Sequence, residues 1–329
     1  MLDVKAYEAL RQAAALVERP SGARVRVSGK HRLEFLHRMT SQELRTQKPG
    51  EGRTAVLLTD KGRVVDHLSV YALEEELRIL SAREDATASL AHLKKYALRD
   101  DFKPEDQTAS TALLRVLGPR SAEALEAAGA PGAGDLAALG IRPLPDGEGY
   151  LLATDGPCAR NLALWVPAAR AQEWKERLLE RAHGIGLRLA DAETYEVVRI
   201  ESGHPAHGPE LSEEVNPLEA GLRDSIHWNK GCYIGQEVIA RLDTYQKVQR
   251  HLVGLRLPGA ARPPAPGSRL LVGGERVGWV TSATHSPALS EPVALAYLKT
   301  QHAAEGTEVK IEAGGTITTA RVAALPMVS

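Results

Sequence analysis

The chain has 329 residues, 43% hydrophobic and 25% charged, an ordinary globular composition too long for one core, so two or three lobes are expected. Its 41 basic and 42 acidic residues leave a net charge of −1, which argues against nucleic-acid binding driven by a basic face. Two cysteines, Cys158 and Cys232, exclude a disulfide framework and a four-ligand metal site within one chain.

Residues 3–19 space Val4, Tyr7, Leu10, Ala14 and Val17 as one helical face, with Pro20 as the stop. Their charges, Asp3, Lys5 and Glu8, do not suit a signal peptide. No apolar run approaches the roughly 20 residues that span a bilayer, so a cytoplasmic soluble protein is expected. The run 23–29 alternates as a strand, Ser28 suits the N-cap of a helix carrying Leu33, Leu36 and Met39, and Thr40 with Glu43 has capping-box spacing. The run 53–82 is strongly β-forming, broken by a turn at Asp60-Lys61-Gly62 and another at Glu74 to Glu76.

A helix over 85–97 and a strand near 108–118 follow, then a small-residue connection at 127–140. Strands near 149–154 and 160–166 and helices over 168–182 and 191–202 come next. From about 250, short β runs separated by Gly, Pro or charged turns read as a small antiparallel barrel. The pattern is α+β, not a doubly wound sheet. We divide it into residues 1–249, two lobes parted near 127–145, and a barrel domain over 250–329.

Gly132-Ala133-Gly134-Asp135-Leu136-Ala137 matches GxGxxA, but a helix rather than a strand precedes it, so a loop is expected. Phosphate-loop, HExxH and GxSxG motifs are missing from the sequence. Glu201, His204 and His207 lie three apart, yet Pro205 ends the helix and breaks the spacing a metal site needs. Asp66, between Val65 and His67 on a β run, reads first as the solvated face of an alternating strand and second as an inward carboxylate tuned by its surroundings.

Asn229-Lys230-Gly231-Cys232-Tyr233-Ile234-Gly235-Gln236-Glu237 sets a scarce thiol beside a cation and between glycines. Unpaired cysteines are commonly small, buried and inert. Against that, Lys230 would favour thiolate, Gly231 and Gly235 permit a sharp turn, and the following run can start a helix whose N-terminus favours anions. A nucleophile, a redox centre and a soft-metal ligand all remain open. No protease-like arrangement can be picked out and no CxxC partner exists.

KGCYIGQE with downstream Arg241 resembles the signature of the YgfZ family, folate-binding relatives of the glycine-cleavage T-protein. VVRIESGHPAHGPEL (197–211) and NPLEAGL (216–222) resemble the T-protein segment leading into that motif. TDKGRVVDHLSVY (59–71) is similar to the T-protein hairpin that carries a folate-facing acid. With the C-terminal β region, the resemblance covers nearly the whole chain.

It implies an α+β, multi-lobed ring around a central folate cavity, with a C-terminal antiparallel β-barrel. The cofactor implied is tetrahydrofolate or a one-carbon derivative. Glu201, in its Arg-x-Glu context with Arg199, matches the acid that bonds the pteridine ring, and a carboxylate accepts well from an amide N–H and an amine. Asp66 matches the acid near the folate nitrogens, and Arg223 a contact to the anionic glutamyl tail. Cys232 matches the cysteine on which support of iron–sulfur proteins depends, as a transient ligand shared with client or assembly proteins. T-proteins carry a second acid where this chain has His67, and lack the motif cysteine. The implied alternative is a folate-dependent aminomethyltransferase or demethylase.

Overall fold

The computed structural model describes residues 2–18, 22–313 and 316–328. The chain forms two compact units: one of residues 1–59, 65–195 and 224–234, the other of residues 60–64, 196–223 and 235–329.

The first unit opens with α1 (Val4–Gln12), capped by Asp3 Oδ1, which accepts from Lys5 N and Ala6 N. The chain then becomes strand β1 (Ala14–Val17), so the helix expected over 3–19 is corrected to its first half. All four β1 residues are buried, and the strand pairs parallel with residues 187–190 and antiparallel with residues 115–117. Ladder bonds and burial on both sides outweigh the helical spacing of Ala14 and Val17. Pro20, read as the stop, lies outside the described residues.

Next come β2 (Arg24–Ser28), α2 (Arg32–Met39), β3 (Gly52–Leu58), β4 (Val64–Ala72), β5 (Leu77–Ser81), α3 (Thr87–Lys94) and β6 (Lys103–Asp106). Strands β3-β4-β5-β2-β6 make a five-stranded sheet in that spatial order. The two hairpin turns expected inside 53–82 are present. Ser28 is not a cap: it pairs with Lys103 in the sheet, and α2 starts after His31 without a side-chain cap. Thr40 starts no helix either, because its hydroxyl donates back to Leu36 O at 2.8 Å.

The unit continues with β7 (Thr111–Leu117), α4 (Ser121–Ala127), β8 (Ile141–Pro143), β9 (Tyr150–Ala153), β10 (Asn161–Pro167), α5 (Ala171–Arg181) and β11 (Leu187–Ala190). They build a six-stranded sheet ordered β11-β1-β7-β10-β9-β8, antiparallel except at β1 and β11. Helices α4 and α5 bury Leu125, Trp174 and Leu178 against it. Tyr71 and Leu80 of the five-stranded sheet pack with Leu113, Leu152 and Trp165 of the six-stranded one. Gly132–Ala137 is irregular loop after α4, as expected.

Helix α6 (Ala192–Ser202) begins in the first unit and ends in the second, where Gly203 takes a left-handed φ of 77° before Pro205. The second unit adds α7 (Gln236–Thr244) and six strands: β12 (Arg250–Arg256), β13 (Arg269–Val272), β14 (Glu275–Ser286), β15 (Glu291–Lys299), β16 (Glu308–Ala313) and β17 (Thr316–Ala323). These close into an antiparallel barrel ordered β12-β15-β14-β13-β16-β17, filled by Leu255, Leu270, Val280, Leu298 and Ile311. Closure leaves no free edge. The fold is that expected: mixed α/β with a C-terminal barrel.

Candidate functional site

Strand β4 is buried at every position, so its polar residues must find partners inside the protein. Asp66 is fully buried, which corrects the solvated-face reading to the inward one. Its Oδ2 accepts from Ser81 Oγ, at the end of β5, and from Ser89 Oγ, on α3, each at 2.6 Å. Its Oδ1 is buried with no hydrogen-bond partner. Burial pushes the acid up to about 6, while the two serine hydroxyls, the Arg83 charge and the backbone N–H of His67 pull the other way. This carboxyl therefore changes charge just below neutrality and keeps one oxygen ready to accept.

His67 does not join it. Successive strand residues face opposite sides, and His67 Nε2 meets Ser225 Oγ at 2.9 Å. Ser225 in turn donates to Thr54 Oγ1 at 2.9 Å, which makes Nε2 the donor to Ser225.

The cysteine loop is built from the same unit. Lys230 is buried, and its Nζ donates to the carbonyls of His37 (2.5 Å), Thr40 (2.6 Å) and Gln42 (2.8 Å). Burial pulls the ammonium down to about 7. Three acceptors nevertheless hold the charged form, since a neutral amine has only two N–H donors. Beside it, burial and the Lys230 charge hold His37 below the usual imidazole value. Lys230 also lies over the Tyr233 ring, 4.9 Å from its centroid. His227 N donates to Ser41 O and Ile234 N to Arg38 O, so the loop is stitched to residues 37–42 at both ends.

Cys232 stands exposed between these anchors. All three protons of Lys230 are committed to carbonyls, so it donates none to the thiol and anchors the loop to residues 37–42. After Ile234, Gly235 takes a φ of 82° and α7 begins, with Gln236 and Glu237 in its first turn and Arg241 in its last. A Cβ at Gly231 would meet nothing nearer than His37 Nε2 at 4.0 Å, so close packing does not account for that glycine. Cys158 differs from Cys232: burial pushes its thiol up to about 12.

In the second unit, Glu201 is buried and its Oε1 accepts from Ser286 Oγ of β14 at 2.5 Å. Arg199, two residues earlier on α6, is buried in a polar network. Its Nε donates to Glu196, its Nη1 to His204 O and Glu210, and its Nη2 to Ser282 and Glu196. That uses every guanidinium donor, so Arg199 fixes the end of α6 instead of offering a ligand contact. Arg223 is exposed and pairs with Asp243 at 2.6 Å. Among the described residues, no group of three or more His, Cys, Asp or Glu could hold a metal ion. Sequence reasoning missed Ser81, Ser89, Ser286 and the 37–42 carbonyls, which only the fold brings to their partners.

Residues 250–329 match the glycine cleavage T-protein C-terminal barrel domain, and residues 4–138 the GCVT N-terminal domain. An Arabidopsis thaliana protein provisionally named a chloroplastic transferase is 32% identical, over 94% of this chain and 71% of that protein. The chain belongs to the glycine-cleavage T-protein family. An aminomethyltransferase of Saccharopolyspora erythraea is 30% identical to this T-protein relative, over 98% of its chain and 89% of that enzyme. The solved glycine cleavage system aminomethyltransferase T from Bartonella henselae superposes with a TM-score of 0.88 at 25% identity, covering 98% of this chain and 89% of that one. Asp66 lies within the matched N-terminal domain; Glu201 and the cysteine loop lie between the two matched segments.

Proposed function

We propose that this T-protein family member binds tetrahydrofolate or a one-carbon derivative, and that Cys232 adds a YgfZ-type role in assembly or repair of iron–sulfur proteins. The observation that carries the folate reading is Asp66 Oδ1, a buried acceptor that receives no well-formed hydrogen bond. Such an atom costs roughly 1–3 kcal/mol unless a ligand donor meets it. Tetrahydrofolate, when bound, supplies donor N–H groups and the nitrogens that carry a one-carbon unit. Asp66 accepts from such a donor when ionised, and Ser81 and Ser89 hold its other oxygen in place. Glu201 serves the pteridine ring as acceptor, oriented by Ser286.

Support for the cysteine role is the exposed Cys232 thiol on a loop pinned by Lys230. A single thiolate is a soft ligand that holds an iron–sulfur cluster only jointly, so the partner is a client or assembly protein supplying the remaining ligands. Cells carrying Cys232→Ala should lose activity of cluster-dependent enzymes while the purified variant keeps its affinity for tetrahydrofolate. Normal cluster enzymes in that strain contradict the cysteine role.

A second reading, aminomethyl transfer, is favoured by the titration of Asp66 near neutrality, where a carboxyl can both take and return a proton. Formation of methylenetetrahydrofolate from an aminomethylated lipoyl carrier at enzymatic rates, lost in Asp66→Asn, would establish it in place of the first.

A further inference from the structure

A cavity of about 930 Å³ opens within the second unit, between the Gln246–Arg250 segment and strands β14 and β15. That size falls within the roughly 300–1,000 Å³ of sites that bury a small organic ligand. Five cations line it, Arg63, Lys247, Arg250, Arg276 and Lys299, against a single carboxylate, Glu219. In a chain of net charge −1, this is a sharp local excess of positive charge.

Glu219 does not offset all five. It is buried, accepts from Asn216 N at 3.0 Å, and pairs with Arg250 at 3.1 Å and Arg63 at 3.6 Å. Lys247, Arg276 and Lys299 have no carboxylate partner among the described residues. The cavity also has an aromatic wall. Trp279 and Tyr297 lie 5.3 Å apart, and the Arg250 guanidinium sits over both, 4.9 and 5.7 Å from their centroids. A guanidinium fixed by a carboxylate on one side and two rings beneath is a flat, weakly hydrated surface on which another ring can stack.

We propose that this cavity binds a small polyanion bearing a flat ring, its anionic groups on Lys247, Arg276 and Lys299 and its ring against the Arg250–Trp279 wall. The chemistry fits a nucleoside polyphosphate or an aryl oligocarboxylate. The cavity uses neither Asp66 nor Glu201, so loss of binding in an Arg276, Lys299 variant tells occupation here from occupation of the folate site.

The test is calorimetric titration of the full chain with two probes, adenosine triphosphate and p-aminobenzoyl-tri-γ-glutamate. The latter carries a ring and carboxylates but no pteridine. At least one should bind, and adenosine and inorganic triphosphate, which each lack one half of the chemistry, should bind at least about tenfold more weakly than adenosine triphosphate if that is the ligand. The double variant Arg276→Glu, Lys299→Glu, at two exposed positions, should keep the wild-type melting temperature and lose at least about tenfold in affinity. Failure of both probes to bind, or unchanged affinity in a folded double variant, overturns the proposal. The probe that binds tells phosphate from carboxylate as the anion.

Discussion

Lys230 Nζ lies 2.6 Å from the Thr40 carbonyl oxygen, and with two further carbonyls this contact gives the motif's cation to the backbone rather than to the neighbouring Cys232 thiol. The signature lysine thus holds the cysteine loop in position. Lys230→Met should leave three buried acceptors unsatisfied and lower stability by about 2–4 kcal/mol. Urea denaturation measures that loss, and Cys232 should react with a thiol reagent at least as fast as in the wild type. Full stability with a much slower thiol would mean that the lysine serves the sulfur after all.

The raised pKa of Asp66 makes a signed prediction about stability. In the folded protein the acid holds its proton up to about 6, whereas the unfolded acid releases it near 3.8. Between those values the folded state binds more protons, so this group's contribution to stability falls as pH rises. Asp66→Asn removes the dependence. Relative to wild type, the variant should gain about 2 kcal/mol between pH 4.5 and 7.5, measured by urea unfolding at both. A difference independent of pH contradicts the burial argument.

The two cysteines should separate chemically. Cys232 is exposed, whereas burial pushes Cys158 up to about 12. Limited alkylation at pH 8 followed by peptide mass spectrometry should find Cys232 labelled and Cys158 at least about tenfold slower, in keeping with thiolate control of reactivity. Equal labelling of both contradicts this.

How much of this was written in the sequence depends on the range of the interaction. The turn at Asp60-Lys61-Gly62 and the short β runs after 250 are local patterns, and both are present in the fold. Val4 to Val17 reads as one helix because its spacing is local, while the pairing of Ala14–Val17 with Leu187–Ala190 is not. Asp66 illustrates the same limit at the site. Its motif points to it, but an alternating strand says nothing of burial on both faces, or of Ser81 and Ser89 arriving from β5 and α3. Lys230 sits near Cys232 in sequence, and only the packing of residues 37–42 shows that its N–H donors go to backbone carbonyls.

The measurement that tests the central claim most directly is anaerobic calorimetric titration of tetrahydrofolate into the wild type, Asp66→Asn, Glu201→Gln and Cys232→Ala. We expect saturable binding by the wild type, at least about tenfold weaker binding by the two carboxylate variants, which lose charge-assisted acceptors, and unchanged affinity in Cys232→Ala. Absence of binding by the wild type, or wild-type affinity in both carboxylate variants, contradicts the account.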